Sequence, residues 1–348
     1  MKIQKSELAQ KINKIKSVVP KKSTMQVLQG ILVKDGYLIV NNMEMTIKAK
    51  IEGAEGECFI IPMKAFDLIN NLPNGEIEIV AANNNITIKA SKIKNKYQTM
   101  DPVQFPQSIM LEGEEQEIII DSSKLLESIK RVSYAIPTQA ANQIMTALCL
   151  QATGGYLNFV GLDGHVMAWD KVDYDGEFEL LIPKSTIEKL QSIGIEGDVS
   201  IRHNRMGAVF VTEEYEVHTR LIEGDYYKYQ NMFRVLPLQT KVIRAELLDA
   251  MLRAKMCTEE RSPVRFEISD KTLNISVKDH TADYQETITL LDPLEQDLTI
   301  GFDARLVIET LKAFDSDEVC LQLQAAKAPM IVEAEDNFKT IVLPVAIN

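Results

Sequence analysis

Two helical frames recur along this chain at long and nearly constant spacing, and that recurrence limits the folds open to it. The segment Ser123-Lys124-Leu125-Leu126-Glu127-Ser128-Ile129-Lys130-Arg131-Val132 places Leu125, Ile129 and Val132 at i, i+4 and i+7, the stripe of an amphipathic helix. The same frame reads Leu8, Ile12, Ile15 near the N-terminus and Leu247, Met251, Ala254 in the last third. Leu8 and Leu125 are 117 residues apart, and Leu125 and Leu247 are 122 apart. A second frame, Phe66-Ile69-Leu72, returns as Ile187-Leu190-Ile193 and Ile308-Leu311-Phe314, 121 residues on each time. Repeats this long are whole domains rather than solenoid units. A chain of 348 residues has room for three of them.

Between the helices the pattern changes to strands. Met45, Ile47, Ala49 and Ile51 alternate with Thr46, Lys48 and Lys50, as a half-buried antiparallel strand does. Comparable runs predict strands at 30–33, 37–40, 76–80, 86–90 and 96–100. In the second repeat they fall at 147–151, 156–160, 166–172, 199–202, 208–212 and 216–221. In the third they fall at 264–268, 272–277, 283–290, 319–324, 330–333 and 339–342. Each repeat reads helix, strands, helix, strands. This is an α+β arrangement with both helices on one face of antiparallel sheets. Edge strands need partners, and sheets that continue from one repeat into the next supply them. The stretches Asp101–Gly113 and Glu223–Lys241 read as linkers, which sets the domains at 1–115, 116–236 and 237–348.

The polar side of the first helix repeats too. Six residues after its first apolar position stand Lys14, Arg131 and Arg253, turned away from the apolar stripe. Either this is the chance occurrence of cations on solvated faces, or three equivalent helices point a cation at one shared feature. Net charge bears on which. At −12 the chain does not simply coat a polyanion. Residues 1–22 nevertheless hold seven lysines and one acid, Glu7, whereas acids collect elsewhere, as at Glu112, Glu114, Glu115 and Glu117. An acidic molecule with a locally basic face can hold a polyanion loosely at one place.

Chemistry of the usual kinds is missing from the motifs. There is no Walker loop, GxGxxG, GxSxG or HExxH. Cys58, Cys149, Cys257 and Cys320 form no CxxC, sit in apolar surroundings and read as buried free thiols of a reducing compartment. His165, His203, His218 and His280 share no metal-ligand spacing, so neither a metal nor a cofactor is expected. No apolar run approaches a membrane span, and the first residues have no apolar core of a secretory signal, so a cytoplasmic protein is expected. Asp163-Gly164-His165 admits a catalytic reading with His165 as base. The competing reading is a tight turn between two strands, for which Asp-Gly is a favoured pair.

Several local sequences resemble bacterial sliding clamps, the β subunit of DNA polymerase III, and do so in order along the whole chain. They are Asn42-Met43-Glu44-Met45, Asp163-Gly164-His165, Arg220-Leu221-Ile222-Glu223-Gly224, Arg234-Val235-Leu236-Pro237 and Val342-Leu343-Pro344-Val345. The resemblance implies three tandem domains of the DNA-clamp fold and a head-to-tail homodimer that forms a six-domain ring around double-stranded DNA. It implies a processivity factor for DNA replication, with no catalysis of its own. The ring would tether the polymerase III catalytic subunit, the clamp loader and other proteins bearing a clamp-binding motif. Phosphates would be held without base readout, so that the ring slides. Lys14, Lys22, Arg131, Gln139 and Arg253 would then face the DNA.

The resemblance also implies a peptide pocket at Leu162, Gly164, His165, Val166, Met167, Pro237, Val242, Ile341, Leu343, Pro344 and Val345, extended by Ala346 and with Ile144 and Met145 as a second lobe. Without it, the same residues read as ordinary domain-junction core. The dimer contact would join the segments 92–100 and 254–261, with Tyr97, Met256 and Cys257 as its apolar part. Leu162, Val166 and Ala346 depart from the family's more polar residues, and Tyr227-Lys228-Tyr229-Gln230 replaces its usual linker sequence. The pocket is therefore expected to be more apolar than is typical. Two other readings stay open: an enzyme or ligand-binding protein with a site near His165, and a divergent clamp paralogue serving a subset of partners.

Overall fold

The structure is a computed structural model that describes residues 1–106, 111, 114–258, 263–278 and 283–347. Glu112, His280 and the 259–261 end of the expected dimer segment lie outside the described residues. The first repeat runs β1 (Lys2–Gln4), α1 (Lys5–Ile15), β2 (Gly30–Lys34), β3 (Tyr37–Asn41), β4 (Met45–Lys50), β5 (Cys58–Pro62), α2 (Phe66–Asn71), β6 (Glu76–Ala82), β7 (Asn85–Ala90) and β8 (Ile93–Gln98). The second runs β9 (Gln116–Asp121), α3 (Ser122–Ser133), β10 (Ala147–Thr153), β11 (Tyr156–Leu162), β12 (Val166–Asp173), β13 (Phe178–Pro183), α4 (Lys184–Ile193), β14 (Asp198–His203), β15 (Gly207–Val211) and β16 (Tyr215–Arg220). The third runs β17 (Leu238–Ile243), α5 (Arg244–Met256), β18 (Val264–Lys278), β19 (Asp283–Phe302), α6 (Ala304–Ala313), β20 (Glu318–Leu323), β21 (Met330–Glu333) and β22 (Lys339–Val342).

The repeats follow one order. In the third, four strands are fused into two long ones. The start of β18 pairs with the end of β19 (Val264↔Phe302), as β2 pairs with β5 (Gly30↔Pro62). The far end of β18 pairs with the start of β19, with register shifts near Asp270 where the strand bends. The short strands β1, β5, β9, β13 and β17 were not expected, nor was the second half of β19 beyond residue 290. The second linker is correspondingly shorter than expected, because its last residues already belong to β17.

Contacts gather the chain into two compact units, Met1–Leu126 with Ser185–Leu221, and Glu127–Lys184 with Ile222–Asn348. The middle repeat contributes to both. In the first unit one eight-stranded antiparallel sheet has the order β5-β2-β3-β4-β16-β15-β14-β9, and a four-stranded sheet has the order β1-β6-β7-β8. In the second unit an eight-stranded sheet has the order β13-β10-β11-β12-β22-β21-β20-β17, beside the β18-β19 pair. Sheets thus continue from repeat to repeat through β4–β16 and β12–β22, which hides edges that would otherwise be open.

The apolar stripes read from the sequence are the buried helix faces. Leu8, Ile12, Ile15, Leu125, Ile129, Val132, Leu247, Met251 and Ala254 are all at or near zero exposure. So are Ile69, Ile187, Leu190, Ile193, Ile308, Leu311 and Phe314 of the second helices and their ends. The cysteines differ from expectation in one respect. All four are free, but only Cys149 is buried; Cys257 and Cys320 are half-buried and Cys58 is exposed. No helix among the described residues is long and apolar enough to cross a membrane.

Candidate functional site

The sheet of the second unit carries an apolar row across four strands. Leu162 pairs with Met167, Met167 with Ile341 and Ile341 with Ile331. Side chains opposite one another in adjacent strands share a face and touch. The next row on that face is Leu181, Cys149, Val160 and Trp169. Together these side chains form one buried cluster with Tyr226, Tyr229 and Leu236 of the second linker. Aromatic residues of the linker clamp the cluster. Trp169 lies 5.2 Å from both the Tyr229 and the Phe233 ring centroids. Tyr229 Oη donates to Gln151 at 2.8 Å, and the Leu236 amide donates to the Gln322 side chain at 3.0 Å. Burial pushes the Tyr226 and Tyr229 phenols well above their ordinary pKa, with the nearby Cys149 adding to it. Both therefore stay neutral.

At the open end of this bed lies Asp163-Gly164-His165. The Asp163 carboxylate accepts from the His165 and Val166 amides at 2.8 and 2.9 Å, and Gly164 takes φ +86°. This is the tight turn between β11 and β12, with glycine in the left-handed region that favours it. His165 is exposed, and its carbonyl accepts from the Leu343 amide at 2.8 Å. The chain beyond β22 is thereby held alongside the turn. Val345 N–H then donates to Gly301 O at 2.8 Å. A Cβ built on Gly301 would lie 2.6 Å from Ile347 and 2.9 Å from Val345 O, so only glycine lets the tail pass this closely.

Exposed apolar side chains rise around the bed: Met232 and Val235 from the linker, Leu343 and Val345 from the tail. Ile144 and Met145 pack half-buried against the same cluster. Of the pocket residues expected from the sequence, Leu162, Gly164, His165, Met167, Ile341, Leu343, Pro344 and Val345 come together along this stretch. Pro237 is exposed at the start of β17. Val166 and Val242 do not join the bed. Strand alternation turns both to the opposite, fully buried side of the sheet, where Val166 faces Val342 and Val242 faces Val319. Trp169, Tyr226, Tyr229, Ile331 and Gly301 were not expected. The tyrosines stood in a stretch read as linker, and nothing local distinguishes Gly301.

The expected DNA-facing residues have varied surroundings. Lys22 and Gln139 are exposed on loops. Lys14 Nζ donates to Ile193 O at 2.9 Å, at the C-terminal end of α4. Arg131, only 14% exposed, lies within salt-bridge distance of Glu127, Asp170, Asp315 and Asp336 and stacks on Phe338. Burial opposes its charge, but Asp170, Asp336 and Glu127 more than offset that and raise its pKa. Arg253 is half-exposed and bidentate on Glu286, at 2.6 and 2.9 Å. The cation at this helical position therefore does meet a shared feature in the first two repeats: the end of a second helix.

Among the expected dimer residues, Tyr97 is half-buried on β8, the outermost strand of the four-stranded sheet. Met256 ends α5 and is 84% exposed, and Cys257 beside it is half-buried. No group of metal-ligating side chains occurs among the described residues.

Three sequence models of the DNA polymerase III beta subunit match the chain: the N-terminal domain over residues 1–110, the central domain over 119–228 and the C-terminal domain over 234–346. The chain is 24% identical to the beta sliding clamp of Pseudomonas aeruginosa over 96% of both sequences. It is 23% identical to the beta sliding clamp of Halalkalibacterium halodurans over 97% of both. A solved putative DNA polymerase III beta subunit from Eubacterium rectale superposes with a TM-score of 0.92 at 26% identity, covering 99% of this chain and 98% of that one. A Pseudomonas aeruginosa sliding clamp bound to griselimycin superposes with a TM-score of 0.93 at 22% identity, covering 100% of this chain and 99% of that one.

Proposed function

The chain belongs to the DNA polymerase III beta-subunit family, and from that premise we propose how its own residues do the work of a sliding clamp. A clamp of this family is a non-catalytic processivity factor. His165 accordingly serves as the corner of a turn and the anchor of the C-terminal tail. The three repeats act as domains 1–115, 116–236 and 237–348, and two chains join head to tail into a ring. The contact lies at the open edge of β8, near Tyr97, and at the end of α5, near Met256 and Cys257. Inside such a ring the exposed Lys22 and Gln139 face the duplex with the neighbouring exposed Lys16 and Lys21. Lys14 and Arg131 hold helix ends and support that face from behind. A clamp at work on DNA would act in the cytoplasm.

The observation that carries the partner reading is the apolar bed of Leu162, Met167 and Ile341, rimmed by exposed Leu343 and Val345. Its natural occupant is a short extended peptide with apolar anchors. The polymerase catalytic subunit, the clamp loader and other motif-bearing proteins would take turns there. With apolar Leu162 and uncharged Ala346 at its ends, the groove favours peptides whose anchors are aliphatic or aromatic rather than acidic. The test is fluorescence anisotropy with a labelled polymerase-tail peptide. Removal of residues 343–348 is expected to abolish binding while the dimer survives. Unchanged affinity in the truncated protein would sink the pocket assignment.

A further inference from the structure

The eight-stranded sheet of the first unit repeats that of the second strand for strand. The order β5-β2-β3-β4-β16-β15-β14-β9 corresponds to β13-β10-β11-β12-β22-β21-β20-β17. Register then gives each residue of the apolar bed a counterpart. Cys149 pairs with Leu181 and Val160, as Leu32 pairs with Ile60 and Ile39. Across the next strand, Trp169 corresponds to Lys48. Two residues along the strands, the bed has Leu162, Met167, Ile341 and Ile331, and the first unit has Asn41, Thr46, His218 and Val209. Each linker lays an aromatic ring on its sheet at the same place: Tyr229 joins Cys149 and Leu181 in one buried cluster, and Phe105 joins Leu32 and Ile60 in another. Each also leaves one valine almost bare, Val235 at 81% exposure and Val103 at 87%.

On this face the first unit has a groove of about 780 Å³. Leu32, Ile39 and Phe105 form its apolar part, and Lys34, Lys48, His218 and Arg202 its basic part, while Asp35 and Glu115 also line it. Lys48 and the His218 ring share the Glu216 carboxylate, at 2.7 and 3.2 Å. Lys34 and Arg202 are exposed and have no ion pair among the described residues. With charges of both signs in the lining, the position of Arg202 decides which occupant fits. Arg202 stands where Gln322 stands in the second unit, since Val209 pairs with Arg202 and Ile331 with Gln322. Gln322 accepts the Leu236 amide and so holds the chain's own linker. An arginine cannot accept an amide. It offers donors only, and a carboxylate is the acceptor that a guanidinium binds best. Length decides the class of occupant. Lys34 on β2 and Arg202 on β14 are five strand steps apart, about 24 Å, which is about seven residues of extended chain.

We propose, resting on the reading of the apolar bed as a peptide groove, that the first unit carries a second peptide groove whose occupant is an extended acidic segment of a partner protein. An apolar side chain of that segment lies against Leu32, Ile39 and Phe105, and a carboxylate pairs with Arg202. Asn41 and Thr46, in place of Leu162 and Met167, deny it the apolar anchors that suit the bed. The two grooves of one chain therefore select different motifs and do not compete.

The test is fluorescence anisotropy on the full chain with two labelled peptides. One is the polymerase-tail peptide. The other has two leucines, three serines and two aspartates, with a control that carries lysines in place of the aspartates. The acidic probe is expected to bind saturably, and the lysine control about tenfold or more weaker. Excess unlabelled tail peptide should not displace the acidic probe. Arg202→Glu should weaken the acidic probe about tenfold, strengthen the lysine control and leave the tail peptide unaffected. Removal of residues 343–348 should do the reverse, keeping the acidic probe and losing the tail peptide. An acidic probe bound no tighter than its lysine control, displaced by the tail peptide, or held equally by Arg202→Glu overturns the second groove and leaves the apolar bed standing. A truncated chain that keeps the tail peptide overturns the bed instead, and Arg202→Glu then decides the second groove by itself.

Discussion

Arg131 is one guanidinium among four carboxylates, from Glu127, Asp170, Asp315 and Asp336. Removing a charge from such a site costs more than its contacts, because the partners stay behind unpaired. Arg131→Ala is expected to lose about 3–5 kcal/mol at neutral pH, read by denaturant unfolding. The loss should shrink on acidification. Burial already pushes the Asp170 carboxyl above its ordinary pKa, against the Ser128 hydroxyl and Arg131, which pull it down. Without Arg131 it rises further. The folded state then binds more protons than the unfolded state between the ordinary and raised values, so stability falls as pH rises through that window. A cost equal at pH 5 and pH 8 would contradict this. In the first unit Lys189 of α4 donates to Lys14 O as well as to Ser17, while burial and the Lys14 charge lower its pKa. Lys189→Met leaves that helix-end carbonyl without its donor and should cost about 1–3 kcal/mol. A melting temperature unchanged from the parent would show that water replaces the ammonium at no cost. The repeated cation was legible in the sequence because helical period fixes the side on which a residue lies. Its use was not, since period does not reveal that a later helix ends on that side.

β4 was legible because apolar and polar residues alternate along it, whereas β5 and β13 were missed because most of their residues on both faces are covered. Phe59, Ile60 and Ile61 of β5 are all buried, and so are Leu180, Leu181 and Ile182 of β13. Such runs lose the alternation that marks a strand. The same alternation decides which pocket residues share a face. Val166 follows His165 in the turn but points into the core, while Met167 joins the bed. Resemblance by position put both in one pocket, and pleating separates them. The tail depends on an element that no motif marks. Gly301 in β19 lets Val345 and Ile347 lie against its backbone. Gly301→Val introduces branched carbons where 2.6 Å is available and must displace the tail. Because the contact is between a strand and a terminal segment, the sheet itself should survive. Peptide affinity is expected to fall about tenfold or more, with far-ultraviolet circular dichroism unchanged. Unchanged affinity would mean that the tail does not shape the groove.

At the scale of the whole molecule, three repeats were legible from two helical periods, but the division into two compact units was not. The linkers mark where the chain passes from repeat to repeat. The sheets join elsewhere, through β4 with β16 and β12 with β22, whose pairing leaves no local trace. This continuity bears on how an acidic protein holds DNA. With a net charge of −12, sequence-independent attraction is weak outside a local basic face. On the function proposed above, retention comes from closure around the duplex, and the exposed Lys16, Lys21 and Lys22 would only centre it. Two measurements separate these contributions. Clamp assembled on nicked circular DNA by its loader should stay bound through a gel-filtration column, and cutting the circle should release it by sliding off the ends. Equal release from circular and linear DNA would remove the ring. Lys21→Gln with Lys22→Gln should leave topological retention intact while flattening the salt dependence of direct binding to linear DNA by about two units of log–log slope, nearly one for each phosphate no longer neutralised. If that slope does not change, these lysines face solvent rather than phosphate. A variant that loses retention on circles as well would instead show that charge, not closure, holds the clamp in place.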